Sequence, residues 1–412
     1  MIVEKKTLLQ YLYIGMMLHT SRSCLYVLQH NALVYIFFGM CVLTTICYRR
    51  VRNQNLYFFF GVIGITLMIT RVVRGGYGLQ YWLEFIVPIW LAYIAYALDK
   101  ESFLIRFVKA VVFLATISLF FWIVSFISPE LVNSLLIIDM PNVFGGTKGV
   151  VLYSFHYSSW RKGYYRNCGI FTEPGIYQIV LNAALFILLF FNKSCKGITI
   201  KKRNKYLAIL SVTLLSSQST TGYAGMAVIL IGYMLGRKEK TKKKILTIIA
   251  IAIGYLIAEY VVMKDNSMIY QTLIAKLMGE NGKIDLSVNT GYYRMLAIDT
   301  SWKIFIQYPL LGAGDLFSQL QTSIIGNSAN AGGGFLKFLS VEGLVSFIPV
   351  FYMYAIKAKK RMQNWIPLLV HLFLWLNTSF AQAEIIYSCI IMFAFVELSE
   401  NQNSINPEQI SI

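Results

Sequence analysis

Apolar residues run in blocks close to twenty long, separated by short basic patches, and this pattern leaves the chain few ways to fold. About twenty apolar residues in a helix cross the ~30 Å hydrocarbon core of a bilayer. Backbone facing lipid must satisfy its own hydrogen bonds, so only helices and closed barrels make the crossing. A barrel strand alternates polar and apolar residues over ~10 positions; a block such as Ile245–Met263 does not. Composition agrees. Of 412 residues, 57% are hydrophobic and 14% charged, against about 45–50% and about 25% in soluble domains. A soluble enzyme, a disordered chain and a coiled coil are excluded. The expected fold is an all-α polytopic integral membrane protein: one membrane domain over 1–412, with about twelve transmembrane helices.

The spans read as 7–27, 31–48, 56–74, 79–98, 106–127, 174–192, 206–218, 221–236, 245–263, 333–356, 365–380 and 382–398. The first is interrupted by the polar run His19-Thr-Ser-Arg22-Ser, and the seventh and eighth are short. Lys and Arg concentrate on cytoplasmic loops. With the N-terminus inside, the inner segments hold 24 of the 37 basic residues, and the two long outer loops, 128–173 and 264–332, hold 9. Both termini are then cytoplasmic. The net charge of +18 reads as a topology signal and an attraction to anionic lipid, not as a nucleic-acid surface. The six cysteines and four histidines have no metal-ligand spacing, so no disulfide framework, metal site or cofactor is expected. No cleavable signal peptide is expected, because the first apolar block runs on as a span.

Loops as long as 128–173 and 264–332 cost ordering entropy and usually carry function. The stretches Met268–Met278 and Tyr292–Ile306 within the second are amphipathic, as in short helices lying on a bilayer. The first loop carries Arg161, Lys162 and Arg166, then Glu173-Pro174-Gly175. Pro174 suits the first turn of a helix, and an acid just before it suits the helix dipole. Glu173 is either a simple cap or a reacting group. Arg161 and Arg166 offer the planar donor fork that matches phosphate; the other reading is contact with lipid headgroups. In the second loop, Arg294 is either a second clamp or an ion-pair partner of Asp299. The Gly312-Ala-Gly314 run predicts a tight turn. Arg71 and Arg74, three apart near the outer end of the third span, share a helix face; they snorkel to headgroups or bind an anion. Glu84 is a possible partner for them. The aromatics Tyr153, Tyr157, Trp160, Tyr164 and Tyr165 suit either a glycan or a membrane-interface belt. The cluster Ser216–Thr221 suits either sugar hydroxyls or helix packing.

Four motifs stand in order: Arg166-x-x-Gly169-x-Phe171-x-Glu173-Pro174; Ser216-Ser-Gln-Ser-Thr-Thr-Gly222; Arg294 followed by Pro309-Leu-Leu-Gly312-x-Gly314; and Phe335-Leu-x-x-Leu-x-x-Glu342-Gly343. Their order and loop sizes resemble the O-antigen polymerase/ligase superfamily, and look closest to the Wzy-type oligosaccharide repeat-unit polymerases. The resemblance implies a GT-C-like helical bundle in the bacterial inner membrane with its active site facing the periplasm. It implies transfer of a growing glycan from undecaprenyl diphosphate onto an undecaprenyl-diphosphate-linked repeat unit, without metal or nucleotide. A chain-length regulator and a flippase are the implied protein partners. The family's functional loop arginines fall on Arg166 and Arg294. The catalytic set expected is Glu173, Arg166 and Arg294, with Glu173 as base and Asp299 and Asp315 in reserve; Arg161, Arg71, Arg74 and Tyr165 are expected to bind substrate. The sister ligases carry a His just before the Phe-Leu of the fourth motif, and 264–332 holds none. A flippase would normally show two related halves and short outer loops. A non-catalytic assembly partner is the remaining alternative.

Overall fold

The computed structural model describes residues 5–48, 79–135, 138–140, 147–150, 152–156, 166–191, 198–235, 290–314 and 316–325, most of 336–348, and single positions between and beyond them. The expected span at 382–398, most of those at 56–74 and 245–263, and the stretch Met268–Met278 lie outside the described residues, as do Arg71, Arg74, Arg161 and Tyr165.

The described chain is mostly helical. In order come α1 (Lys5–Thr20), α2 (Cys24–Leu28), α3 (His30–Cys47), α4 (Leu79–Leu98), α5 (Lys100–Ile127) and α6 (Pro129–Leu135). Strands β1 (Ile138–Met140), β2 (Thr147–Val150) and β3 (Tyr153–His156) follow, then α7 (Pro174–Phe190), α8 (Ile200–Ser216) and α9 (Thr220–Leu235). Last come α10 (Thr290–Gln307) and α11 (Leu316–Ile325). At 1.5 Å per residue the 28 residues of α5 extend about 42 Å, more than a hydrocarbon core. Among the described residues it is the one helix both long and apolar enough to cross a bilayer; shorter apolar helices include Ala32–Cys47, Ile86–Leu98, Pro174–Phe190 and Thr220–Leu235. Phe113, Phe120, Ile123, Phe126 and Ile127 stay exposed along α5, an apolar outer face that suits lipid. This architecture is consistent with a membrane protein.

The expected first span is two helices. Thr20 and Ser21 turn their hydroxyls back on the Met17 carbonyl at 2.8 and 3.3 Å. Arg22 takes a left-handed φ of 60°, and the Ser23 hydroxyl caps α2 by accepting from the Tyr26 N–H at 3.2 Å. These polar groups satisfy the backbone groups freed where α1 stops.

One core joins α1, α3, α4, α5, α7, α8 and α9: α1 and α3 pack on α4, while α5, α8 and α9 pack on α7, whose residues from Ile176 to Leu189 are buried throughout. Gly222 and Gly225 let α9 approach α7 closely: a Cβ on Gly222 would stand 2.8 Å from that of Gln178, and one on Gly225 would stand 2.7 Å from the Asn182 amide nitrogen. Small residues at such crossings permit close helix packing in membranes.

The stretch 128–173, expected as the first outer loop, departs from the all-α expectation. It holds a three-stranded antiparallel sheet in the order β1-β2-β3, with Ile138 opposite Gly149 and Thr147 opposite His156. Polar backbone here lies outside the apolar blocks and needs partners; a meander supplies them locally. Gly149 lies against Cys24, where a Cβ would sit 3.0 Å from the cysteine Cβ and Sγ. Tyr153 stacks on Phe121 of α5 at 5.0 Å and is fully buried. It is therefore a packing residue, not part of a glycan-facing or interfacial belt, because the strand turns it toward α5. Burial drives its phenol pKa well above the usual value, with Cys168 and Tyr177 adding to the effect.

Candidate active site

The segment Arg166–Gly175 connects the sheet to α7, and the fold wedges it between the α1–α2 break and the turn from α8 to α9. Phe171 pairs with Ser23 in an antiparallel bridge. The Cys24 N–H donates to the Ile170 carbonyl at 3.1 Å, and the Thr172 N–H to the Arg22 carbonyl at 3.1 Å. The Ser154 N–H of β3 donates to the Gly169 carbonyl at 2.6 Å.

Asn167 locks the segment. It is fully buried, and its backbone N–H and both ends of its side-chain amide are used. Its backbone N–H donates to the Ser216 carbonyl at 3.0 Å. Its amide nitrogen donates to the Ser118 and Ser216 hydroxyls at 3.2 and 3.0 Å. Its amide oxygen accepts from the Gly169 N–H at 3.0 Å. The Ser118 hydroxyl donates to the Ala115 carbonyl at 3.0 Å, so the Tyr177 hydroxyl, 2.9 Å away, donates to it. Gly169 has φ 58°, and a Cβ there would stand 2.7 Å from the Tyr177 ring. Only glycine fits such a position without strain.

Arg166 reaches the turn between α8 and α9. Its Nε donates to the Ser217 carbonyl at 3.4 Å and its Nη2 to the Gln218 carbonyl at 3.1 Å. These carbonyls lie at the C-terminus of α8, where the helix dipole favours a cation. Gln218 is held at φ 49° and is buried. Among the described residues Arg166 has no acidic partner. A guanidinium carries five N–H donors, and two of them are used on described residues.

Glu173 stands at the N-cap of α7, with Pro174 at the first position, as expected. Its side chain makes no capping hydrogen bond; the carboxyl carbon and Oε1 lie 3.9 Å from where a Cβ on Gly175 would be. The simple-cap reading thus loses its defining bond. Along α7, Gln178 and Asn182 form a buried polar seam. The Asn182 amide nitrogen donates to the Gln178 side-chain oxygen at 2.9 Å and to the Gly222 carbonyl at 3.1 Å. Asn167, Gln178 and Asn182 are not among the residues expected from sequence; the last two, four apart in an apolar helix, are the signal the sequence carries for this seam.

The third and fourth motifs form one interlocked unit. The Ala313 and Gly314 N–H groups donate to the Ser340 and Val341 carbonyls at 2.7 and 3.0 Å, and the Leu344 N–H donates to the Pro309 carbonyl at 2.9 Å. Gly312, Gly314 and Gly343 have φ of 71°, 57° and 72°, so the Gly-Ala-Gly stretch is the tight turn expected. Glu342 is buried beside it. Arg294 rides on α10; its side chain, like Asp315 and that of Glu84, lies outside the described residues. Asp299 pairs with Lys303 at 2.6 Å on the exposed face of α10. Arg294 is five residues from Asp299, about 140° around the helix, so Lys303 is the geometrically favoured partner.

Among the described residues no group of three or more His, Cys, Asp or Glu is placed to hold a metal ion. Among the described residues, Cys24, Cys41, Cys47 and Cys168 form no disulfide.

Residues 206–339 match the sequence model of a family described as O-antigen ligase. The match runs from within α8 into the fourth motif, covering the second and third motifs whole and the fourth only as far as residue 339, and supports the O-antigen polymerase/ligase superfamily. No curated protein matches the chain.

Proposed function

We propose that this protein is a membrane glycosyltransferase that polymerises a surface polysaccharide such as O-antigen. It passes a growing glycan from undecaprenyl diphosphate to an undecaprenyl-diphosphate-linked repeat unit at the periplasmic face of the bacterial inner membrane. Arg166 carries the reading. A half-buried guanidinium, steered by two carbonyls at a helix end, suits an anion that must be bound and stabilised.

In this reading the acceptor hydroxyl loses its proton to Glu173, and its oxygen bonds to the donor's anomeric carbon. The bond from that carbon to the lipid diphosphate breaks. Negative charge develops on the leaving diphosphate, and Arg166 and Arg294 stabilise it, so the step needs no metal. Arg161, Arg71, Arg74 and Tyr165 hold the diphosphate and the first sugars. A chain-length regulator and a flippase act beside the enzyme.

A ligase is the second reading, favoured by the description of the matched family and opposed by the lack of histidine in 264–332. A glycan ladder from a deletion strain separates the two: polymerase loss leaves single repeat units on the final acceptor, and ligase loss leaves none. Restoring the strain with Arg166→Ala or Arg294→Ala is expected to give normal protein levels and no long chains. A normal ladder from either variant removes that arginine from the mechanism.

A further inference from the structure

A groove of about 410 Å³ opens between α1 and α5, within the usual size range of ligand sites. Tyr11, Gly15 and Leu18 line it from α1 and Phe113 from α5; Lys109 stands at one end and Ile170 at the other. Gly15 makes the hollow, since a Cβ there would meet nothing within 4 Å. From Tyr11 to His19 the floor runs about 12 Å, most of a leaflet's acyl depth.

The cationic end sets what the groove accepts. Lys109 is partly buried and has no acidic partner among the described residues. The charges that bear on it are Lys202 and Arg106. Asp99, the acid of this corner, is committed to Arg106 at 2.9 Å, and Arg106 is further tied to Gln10 and to Thr7. Positive charge is therefore left over at the mouth of an apolar channel. We propose that the α1–α5 groove binds one anionic phospholipid, its phosphate on Lys109 and an acyl chain over Gly15 toward Ile170. A zwitterionic lipid would bring its ammonium to the same cations and be disfavoured. A glycan donor would set its diphosphate near Arg166, on the segment that begins beyond the opposite end of the groove, so this site is separate from the proposed reaction and does not rest on it.

Native mass spectrometry of the purified full chain, offered phosphatidylglycerol, phosphatidylethanolamine or undecaprenyl phosphate, tests the assignment. The wild type is expected to retain a single phosphatidylglycerol in preference to the other two. Lys109→Ala is expected to lower that retention roughly tenfold, as loss of one charge-assisted hydrogen bond would, and Lys109→Arg to keep it. Gly15→Leu extends into the groove from a position where a Cβ meets no described atom within 4 Å, so it is expected to exclude the lipid while leaving the fold intact. Equal retention of phosphatidylglycerol and phosphatidylethanolamine, preference for undecaprenyl phosphate, or undiminished binding by Lys109→Ala or Gly15→Leu would overturn the proposal.

Discussion

Gly169→Ala is the most searching perturbation of the candidate site. The substitution adds one methyl group in a place with neither conformational nor steric room. The residue sits at φ 58°, where an L side chain costs roughly 1–2 kcal/mol. The new Cβ would lie 2.7–2.9 Å from three atoms of the Tyr177 ring. That ring cannot swing aside cheaply. It is buried, packs on Phe171 at 5.5 Å and is anchored through its hydroxyl to Ser118. Overpacking of this kind costs roughly 1–3 kcal/mol. Together the effects predict a loss of about 2–5 kcal/mol. Gly175→Ala is the matched control: its Cβ meets only Glu173, at 3.9 Å, and alanine gains up to ~1 kcal/mol over glycine in a helix. The assay is thermal melting of each purified variant in detergent, read beside the glycan ladder. Gly169→Ala is expected to melt well below the wild type and to lose long chains; Gly175→Ala is expected to melt at or above it. Adding Tyr177→Leu to Gly169→Ala is expected to recover part of the loss by removing the ring. A Gly169→Ala protein that melts like the wild type would refute the reasoning.

Asn167→Ala strips partners from the Gly169 N–H and from two buried hydroxyls, and an unsatisfied buried group costs about 1–3 kcal/mol; melting should fall, with Asn167→Asp restoring at most the bond to the Gly169 N–H, because both N–H donors to Ser118 and Ser216 give way to an acceptor. Gly312→Ala drives a Cβ into the Val341 carbonyl from a left-handed position, so the unit formed by 308–314 and 336–345 should loosen, visible as faster amide exchange of the Ala313 and Gly314 N–H groups. Thr199→Ala removes the hydroxyl that accepts from the Lys202 N–H at 3.3 Å at the start of α8; the expected cost is only ~1 kcal/mol, with chain length on the ladder unchanged.

The helices were legible because their cause is local. A block of apolar residues of bilayer length must satisfy its own backbone; the blocks at 174–192 and 221–236 correspond to α7 and α9 within two residues, and those at 106–127 and 206–218 fall on α5 and α8, which each begin six residues earlier. Pro174 and Glu173 announced the start of α7 for the same reason, since a cap involves residues next to each other in sequence. The polar run at 19–23 was visible as an anomaly in the first span, but its meaning needed the bridge from Ser23 to Phe171.

What only the tertiary structure decided was partnership across the chain. Arg166 finds its carbonyls 51 and 52 residues away, Asn167 finds Ser118 and Ser216 each 49 away, and Tyr153 is turned from an apparent surface aromatic into a buried one by Phe121. Residue type tells that a guanidinium or an amide must be satisfied; which group satisfies it depends on how helices pack. Periodicity and charge bias act within one stretch of chain, whereas the hydrogen bonds of the candidate site join stretches that meet only after the bundle has formed.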